Sequence, residues 1–172
     1  MNDTCIGAFH RRPTNEPFAS YIDRISPDCA CEAHQVSPHC NKPVTPDETL
    51  VRLVVDPIHI VVTPEGTRLQ SSFLNIACTS GASCLRDSAA ESEYQETAKL
   101  IISHNPTTAD GKPRKIYGVA KIPAALVQNQ RMAVTQQRSI RSFCVYATGE
   151  EKRPHHADIV VNGIVQSVVS QR

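Results

Sequence analysis

The side chains that could do chemistry are spread along the chain. Arg52 sits inside the apolar β-type run Leu50-Val51-Arg52-Leu53-Val54-Val55, and the pair Ser71-Ser72 precedes Phe73. Ser83 lies in Gly81–Arg86, and His156 follows Pro154-His155 in the loop entering Asp158–Val161. Glu91 and Glu93 open a helical stretch. A guanidinium suits an anion such as phosphate, a hydroxyl can orient a bound group, and an imidazole can take a proton near neutral pH. Against this stand plainer roles. Arg52 can pair with Asp56 or reach out from a sheet edge, and Ser71 and Ser72 can bond backbone. Glu91 can serve a helix start, and His155 and His156 can bond a nearby carbonyl. His59, in a strand-like run, reads as a satisfied core or edge histidine. Cys78, Cys84 and Cys144, in apolar surroundings, read as buried thiols.

A second constellation lies in the proline-rich first 48 residues: Cys29-Ala30-Cys31-Glu32-Ala33-His34, followed by His39-Cys40. Thiolate and imidazole are the ligands zinc prefers, and Cys29, Cys31, His34 and Cys40 would order a segment too rich in proline to fold alone. The C-x-C spacing departs from the usual C-x₂-C knuckle, so free thiols and solvent-facing histidines are the competing reading. Seven unevenly placed cysteines suit metal ligation or reduced thiols better than a disulfide framework.

The elements that must position these groups read as α+β, with a mixed, mainly antiparallel sheet. Leu50–Val55, His59–Thr63, Gly81–Arg86, Ile116–Ile122, Arg141–Thr148 and Asp158–Val161 have strand composition, and residues 68–75 are partly strand-like. Ser88-x-x-Glu91 predicts a capping box opening the main helix over about 88–103, ended by Asn105-Pro106. Pro123 opens a short second helix, and Phe18–Ile25 has one narrow apolar face. Asn162-Gly163 suits a hairpin turn into Ile164–Val169. Residues 1–48 thus form a Pro/Cys-rich arm, metal-stapled on the first of the two readings above, and 49–172 a single α+β domain.

Composition narrows the function classes. The net charge of +1 conceals an asymmetry: residues 1–48 hold seven acids against four Lys/Arg, and residues 112–153 hold nine Lys/Arg against two acids. Aromatic residues make up 5% and tryptophan is absent, which disfavours the stacking platform of single-strand nucleic-acid binders. No apolar run approaches the roughly 20 residues that cross a bilayer, and the N-terminus lacks a signal-peptide layout, so a cytoplasmic protein without membrane attachment is expected. The signatures of P-loops, Rossmann folds, serine hydrolases and zincins are missing.

Leu50-Val51-Arg52, Ser71-Ser72 with Phe73, the serine-bearing strand before an acidic helix, and Pro154-His155-His156-Ala157-Asp158 together resemble a group of small uncharacterised bacterial proteins. That group is built on Leu-Tyr-Arg-Arg…Ser-Ser…Phe…Pro-x-His-Ala. A weaker resemblance is to the ADP-ribosyltransferase superfamily, including the RES-type toxins that degrade NAD. It implies NAD as substrate, with Arg52 on the pyrophosphate, Ser71, Ser72 or Ser83 as the serine, and Glu91 or Glu93 as the acid. Under this reading Arg52, Ser72, Ser83, His156 and Glu91 are the catalytic candidates, and Arg52, Arg68, Ser71 and Phe73 the substrate-binding ones. The rival is a non-catalytic module whose arm docks on a protein partner. The two differ in whether Arg52, a serine and His156 or a carboxylate share one concavity.

Overall fold

In the computed structural model, residues 3–10, 15–40, 42–133, 135 and 138–162 are described. Their centre is a five-stranded antiparallel sheet of order β5-β1-β4-β9-β8. Its strands are β1 (Thr49–Asp56), β4 (Ala82–Arg86), β5 (Lys115–Pro123), β8 (Phe143–Tyr146) and β9 (His156–Val161). Between β1 and β4 come the hairpin β2 (Ile60–Thr63) and β3 (Gly66–Leu69), then a 3₁₀ helix over Ser71–Cys78. A second hairpin, β6 (Arg131–Ala133) with β7 (Ser139–Arg141), precedes β8. The helices are α1 (Asp3–His10), α2 (Phe18–Ile25), α3 (Glu91–His104) and α4 (Ala124–Gln128). The α+β class and the antiparallel sheet are as expected from the sequence. The expected hairpin beyond Asn162 lies outside the described residues.

Strand alternation sorts the core into two layers. Leu50, Ala82, Cys84, Val145, Ala157 and Ile159 pack with Ala77 of the 3₁₀ helix and with Ala124 and Val127 of α4. On the opposite face Cys144, Tyr146 and Val160 pack with Phe18, Tyr21 and Ile22 of α2. The proline-rich arm therefore supplies one side of a shared core. It is stapled, but by disulfides: Cys5–Cys31 within the arm and Cys29–Cys144 from the arm to β8. This corrects the expectation of reduced thiols and takes Cys144 out of the buried thiols. Asp28 and Cys29 have φ of 51° and 62°, two successive left-handed residues that are not glycine, each costing about 1 kcal/mol or more.

Two local expectations change. Ser71–Cys78 coils as a 3₁₀ helix where alternation suggested strand, because its Phe73 and Ala77 are drawn into the core together. The main helix begins at Glu91, not Ser88: Ala89 N bonds the Arg86 carbonyl in a turn, and the Glu93 carboxylate accepts from Ala90 N at 3.1 Å. Glu93, placed by the sequence only at the opening of the helix, is buried because it also accepts from His155 N (2.9 Å) and meets His155 Nδ1 (2.8 Å). Through these bonds α3 fixes the loop that delivers His156 into β9.

Candidate active site

The site lies where the sheet splits. β1 pairs with β5 from Thr49 to Asp56, but with β4 only at Leu50↔Arg86 and Val51↔Leu85. Beyond Val51 the two strands diverge, and the Arg52 guanidinium bridges them. Its Nη1 donates to the Ser83 carbonyl at 2.6 Å and its Nε to the Phe73 carbonyl at 3.1 Å, with the Phe73 ring 5.2 Å away. Arg52 is thus the tie across the split, with Phe73 stacked against it, and it does not pair with Asp56 in the manner considered above.

On the far side of β4, pairing with β9 sets Ser83 opposite Asp158 and Leu85 opposite His156. These four side chains share one face, and the serine meets the imidazole across the strands: Ser83 Oγ lies 2.5 Å from His156 Nε2. His156 Nδ1 lies 3.0 Å from Thr148 Oγ1, and that hydroxyl donates to Asp158 Oδ2 at 2.8 Å. A hydroxyl has one proton to give. Since Thr148 gives its proton to the carboxylate, it accepts from His156 Nδ1–H, which in the neutral imidazole leaves Nε2 bare to accept from Ser83. Ser83, His156, Thr148 and Asp158 therefore form a directed chain with a base beside a hydroxyl, the relation that activates a nucleophile or a bound water.

Gly81 makes room for this chain. Its φ is 83°, and a Cβ there would meet Asp158 Oδ1 at 3.2 Å. His156 is buried, Ser83 and Asp158 partly so.

Ser83 also lines a cleft of about 270 Å³ at the split, with Arg52, His59, Ile76, Leu100 and Arg114 among its walls. Among the described residues, Arg114 Nε is buried there without a hydrogen-bond partner. The field of the two arginines is felt at His59, whose pKa falls to about 4, first through burial and then through Arg52 and Arg114. Its Nδ1 accepts from Val55 N, as a satisfied core histidine should. Because the unfolded chain binds this proton more readily, stability is complete above about pH 6.5 and declines as the pH falls toward 4. The expected loss is about 2 kcal/mol. Urea midpoints at pH 7 and pH 4.5 should show a smaller drop in His59→Asn than in the parent.

The remaining candidates are placed elsewhere. Ser72 Oγ donates to the Ile58 carbonyl at 2.8 Å, a structural bond, and the Ser71 side chain lies outside the described part. Arg68 is exposed on β3, and Glu91 is exposed on the first turn of α3. Neither is among the residues lining the cleft. The zinc set does not assemble: Cys29 and Cys31 are consumed in different disulfides, His34 is exposed, and Cys40 is buried beside Arg86 Nη1 at 3.3 Å. Among the described residues no group of three or more His, Cys, Asp or Glu side chains converges as metal ligands. Burial pushes the Cys84 thiol up to about 12, in keeping with an inert core thiol.

Sequence reasoning missed Thr148, Asp158 and Arg114. Asp158 had a signal, lying two residues after His156 on a strand and so on the same face. Thr148 and Arg114 stand in loops, and only the folded chain brings them in. Among the described residues no helix is long and apolar enough to cross a membrane. The chain matches no family model, no curated protein and no solved structure with which it was compared.

Proposed function

We propose that the protein is an enzyme acting on a phosphate-bearing nucleotide, with NAD the specific candidate. One observation carries the reading: a serine hydroxyl 2.5 Å from an imidazole nitrogen opens on a cleft whose walls hold two guanidinium groups. Arg52 and Arg114 suit the pyrophosphate. His156, reached through Ser83, suits the proton of an attacking water. In NAD cleavage that water adds to the ribose C1′, nicotinamide leaves with the bonding pair, and the proton passes to His156. The resemblance assigned the acid to Glu91 or Glu93. Neither glutamate lines the cleft, and the carboxylate that serves it is Asp158, acting on Ser83 through Thr148 and His156 and within electrostatic reach of Arg52. A cleft of about 270 Å³ is small among ligand sites, which suits the nicotinamide-ribose half with the adenosine half outside.

The rival module has one observation in its favour: Arg52 already spends two donors on carbonyls. Incubation with NAD separates the two. The enzyme is expected to release nicotinamide, with Arg114→Ala raising KM more than it lowers kcat. Absence of nicotinamide release by the parent chain removes the NAD assignment and favours the module.

A further inference from the structure

We propose that α1, α2 and the turn through Cys31 act as a redox latch, fastened by the Cys29–Cys144 disulfide beside the Ser83–His156–Thr148–Asp158 chain and released when a dithiol reduces that bond. The segment ends on the bridge and lies over the strand that leads to Thr148. Phe18, Tyr21 and Ile22 pack on Tyr146 and Val160, the Phe9 ring stands 4.9 Å from the Tyr146 ring, and Ser26 Oγ lies 3.0 Å from Tyr146 Oη. Between segment and sheet is a cavity of about 320 Å³, walled by Phe9 and Phe18 on one side and by Thr148, Gly149 and Asp158 on the other. The bridged segment thus faces the carboxylate end of the polar chain across a cavity that Ser83 does not line.

Two features make this attachment a switch. The left-handed pair Asp28-Cys29 stands at the bridge itself, so cutting the bond frees a backbone that prefers another conformation. Beyond Cys31 the chain is held by bonds that no reductant touches. Glu32 meets the Arg141 guanidinium with both carboxylate oxygens and accepts from Val145 N at 2.7 Å, and Ser37 Oγ donates to the Gly149 carbonyl. Release therefore stops at Glu32.

The chemistry is ordinary thiol exchange. One thiolate of the dithiol attacks a sulfur of the bridge, its second thiol resolves the mixed disulfide, and two electrons and two protons pass to Cys29 and Cys144 as the reductant closes to its own disulfide. The latch then stays shut in an oxidising compartment and opens in a reducing one. It does not depend on the proposed activity.

Limited trypsinolysis of the full chain, followed by mass spectrometry after alkylation, tests it. Arg24, on the exposed side of α2 and paired with Glu16, reports the segment, and Lys99 on α3 reports the body. With dithiothreitol, or in the Cys29→Ser/Cys144→Ser variant, cleavage after Arg24 is expected to quicken roughly tenfold or more while cleavage after Lys99 holds its rate. Cys5→Ser/Cys31→Ser, whose bridge lies inside the segment, should keep the oxidised rate at Arg24. Equal Arg24 cleavage with and without dithiothreitol overturns the latch. So does a parallel rise at Lys99, which would make the bond a support of the whole fold, or release of Arg24 by the Cys5–Cys31 change alone.

Discussion

Ser83→Ala is expected to lower kcat for the proposed nicotinamide release by about 10²–10⁴-fold, the range in which a positioned proton acceptor and its hydroxyl act. His156→Gln should match it, because an amide can keep the hydrogen bond to Ser83 without taking the proton. The diagnostic is the double variant. If the two side chains work as one unit, Ser83→Ala/His156→Gln should be about as slow as either single change, since removing one partner already idles the other. Stability gives the contrast: Ser83→Ala alone leaves the buried Nε2 without its donor, at a cost of about 1–3 kcal/mol, whereas His156→Gln retains that bond. A purely structural pair would therefore separate the variants in urea and leave their rates alike. Multiplicative rate losses in the double variant would refute the shared role.

The strands of this sheet were legible in the sequence because β-branched runs and turn residues alternate sharply from Thr49 onward. Arg52 stood out there as a charge within such a run, Ser83 as a serine on a short strand, and His156 as a histidine in the loop entering one. The sequence did not reveal how they meet. Ser83 and His156 are 73 positions apart, and only the β4–β9 register sets them side by side. Ser88 and Glu91 satisfied the capping pattern as well as Ala90 and Glu93 satisfy the bonding. The choice fell to Glu93 because it alone also reaches His155, a tertiary contact invisible to a local rule. The crowding of Cys29, Cys31 and Cys40 invited a metal. Their true partners are Cys5, 26 residues away from Cys31, and Cys144, 115 away from Cys29, and connectivity of that kind does not follow from spacing.

Arg86→Met should cost about 3–5 kcal/mol, the largest stability loss expected of a single substitution here. Arg86 ends β4 almost fully buried, and the last residues of the arm are wrapped around it. Its Nε and Nη2 grip the two Glu48 oxygens at 2.5 and 2.6 Å, and Nη1 donates to the Lys42 carbonyl at 3.0 Å. Methionine fills much of the same volume but leaves the Glu48 carboxylate facing Thr45 alone, with its charge partly buried and unpaired. The same pair sets an acid limit. Burial raises the Glu48 pKa, but the bonds from Arg86 and Thr45 outweigh it and hold the carboxylate below its ordinary range. Its contribution is thus complete above the unfolded value, about 4.3, and is lost as the pH falls through the depressed folded value. Urea titrations from pH 7 to pH 3 should show the parent losing this increment while Arg86→Met, already without it, follows a shallower course over the same interval. Parallel curves would mean that Glu48 gains nothing from Arg86, and the arm would then owe its seat to the disulfide and to α2.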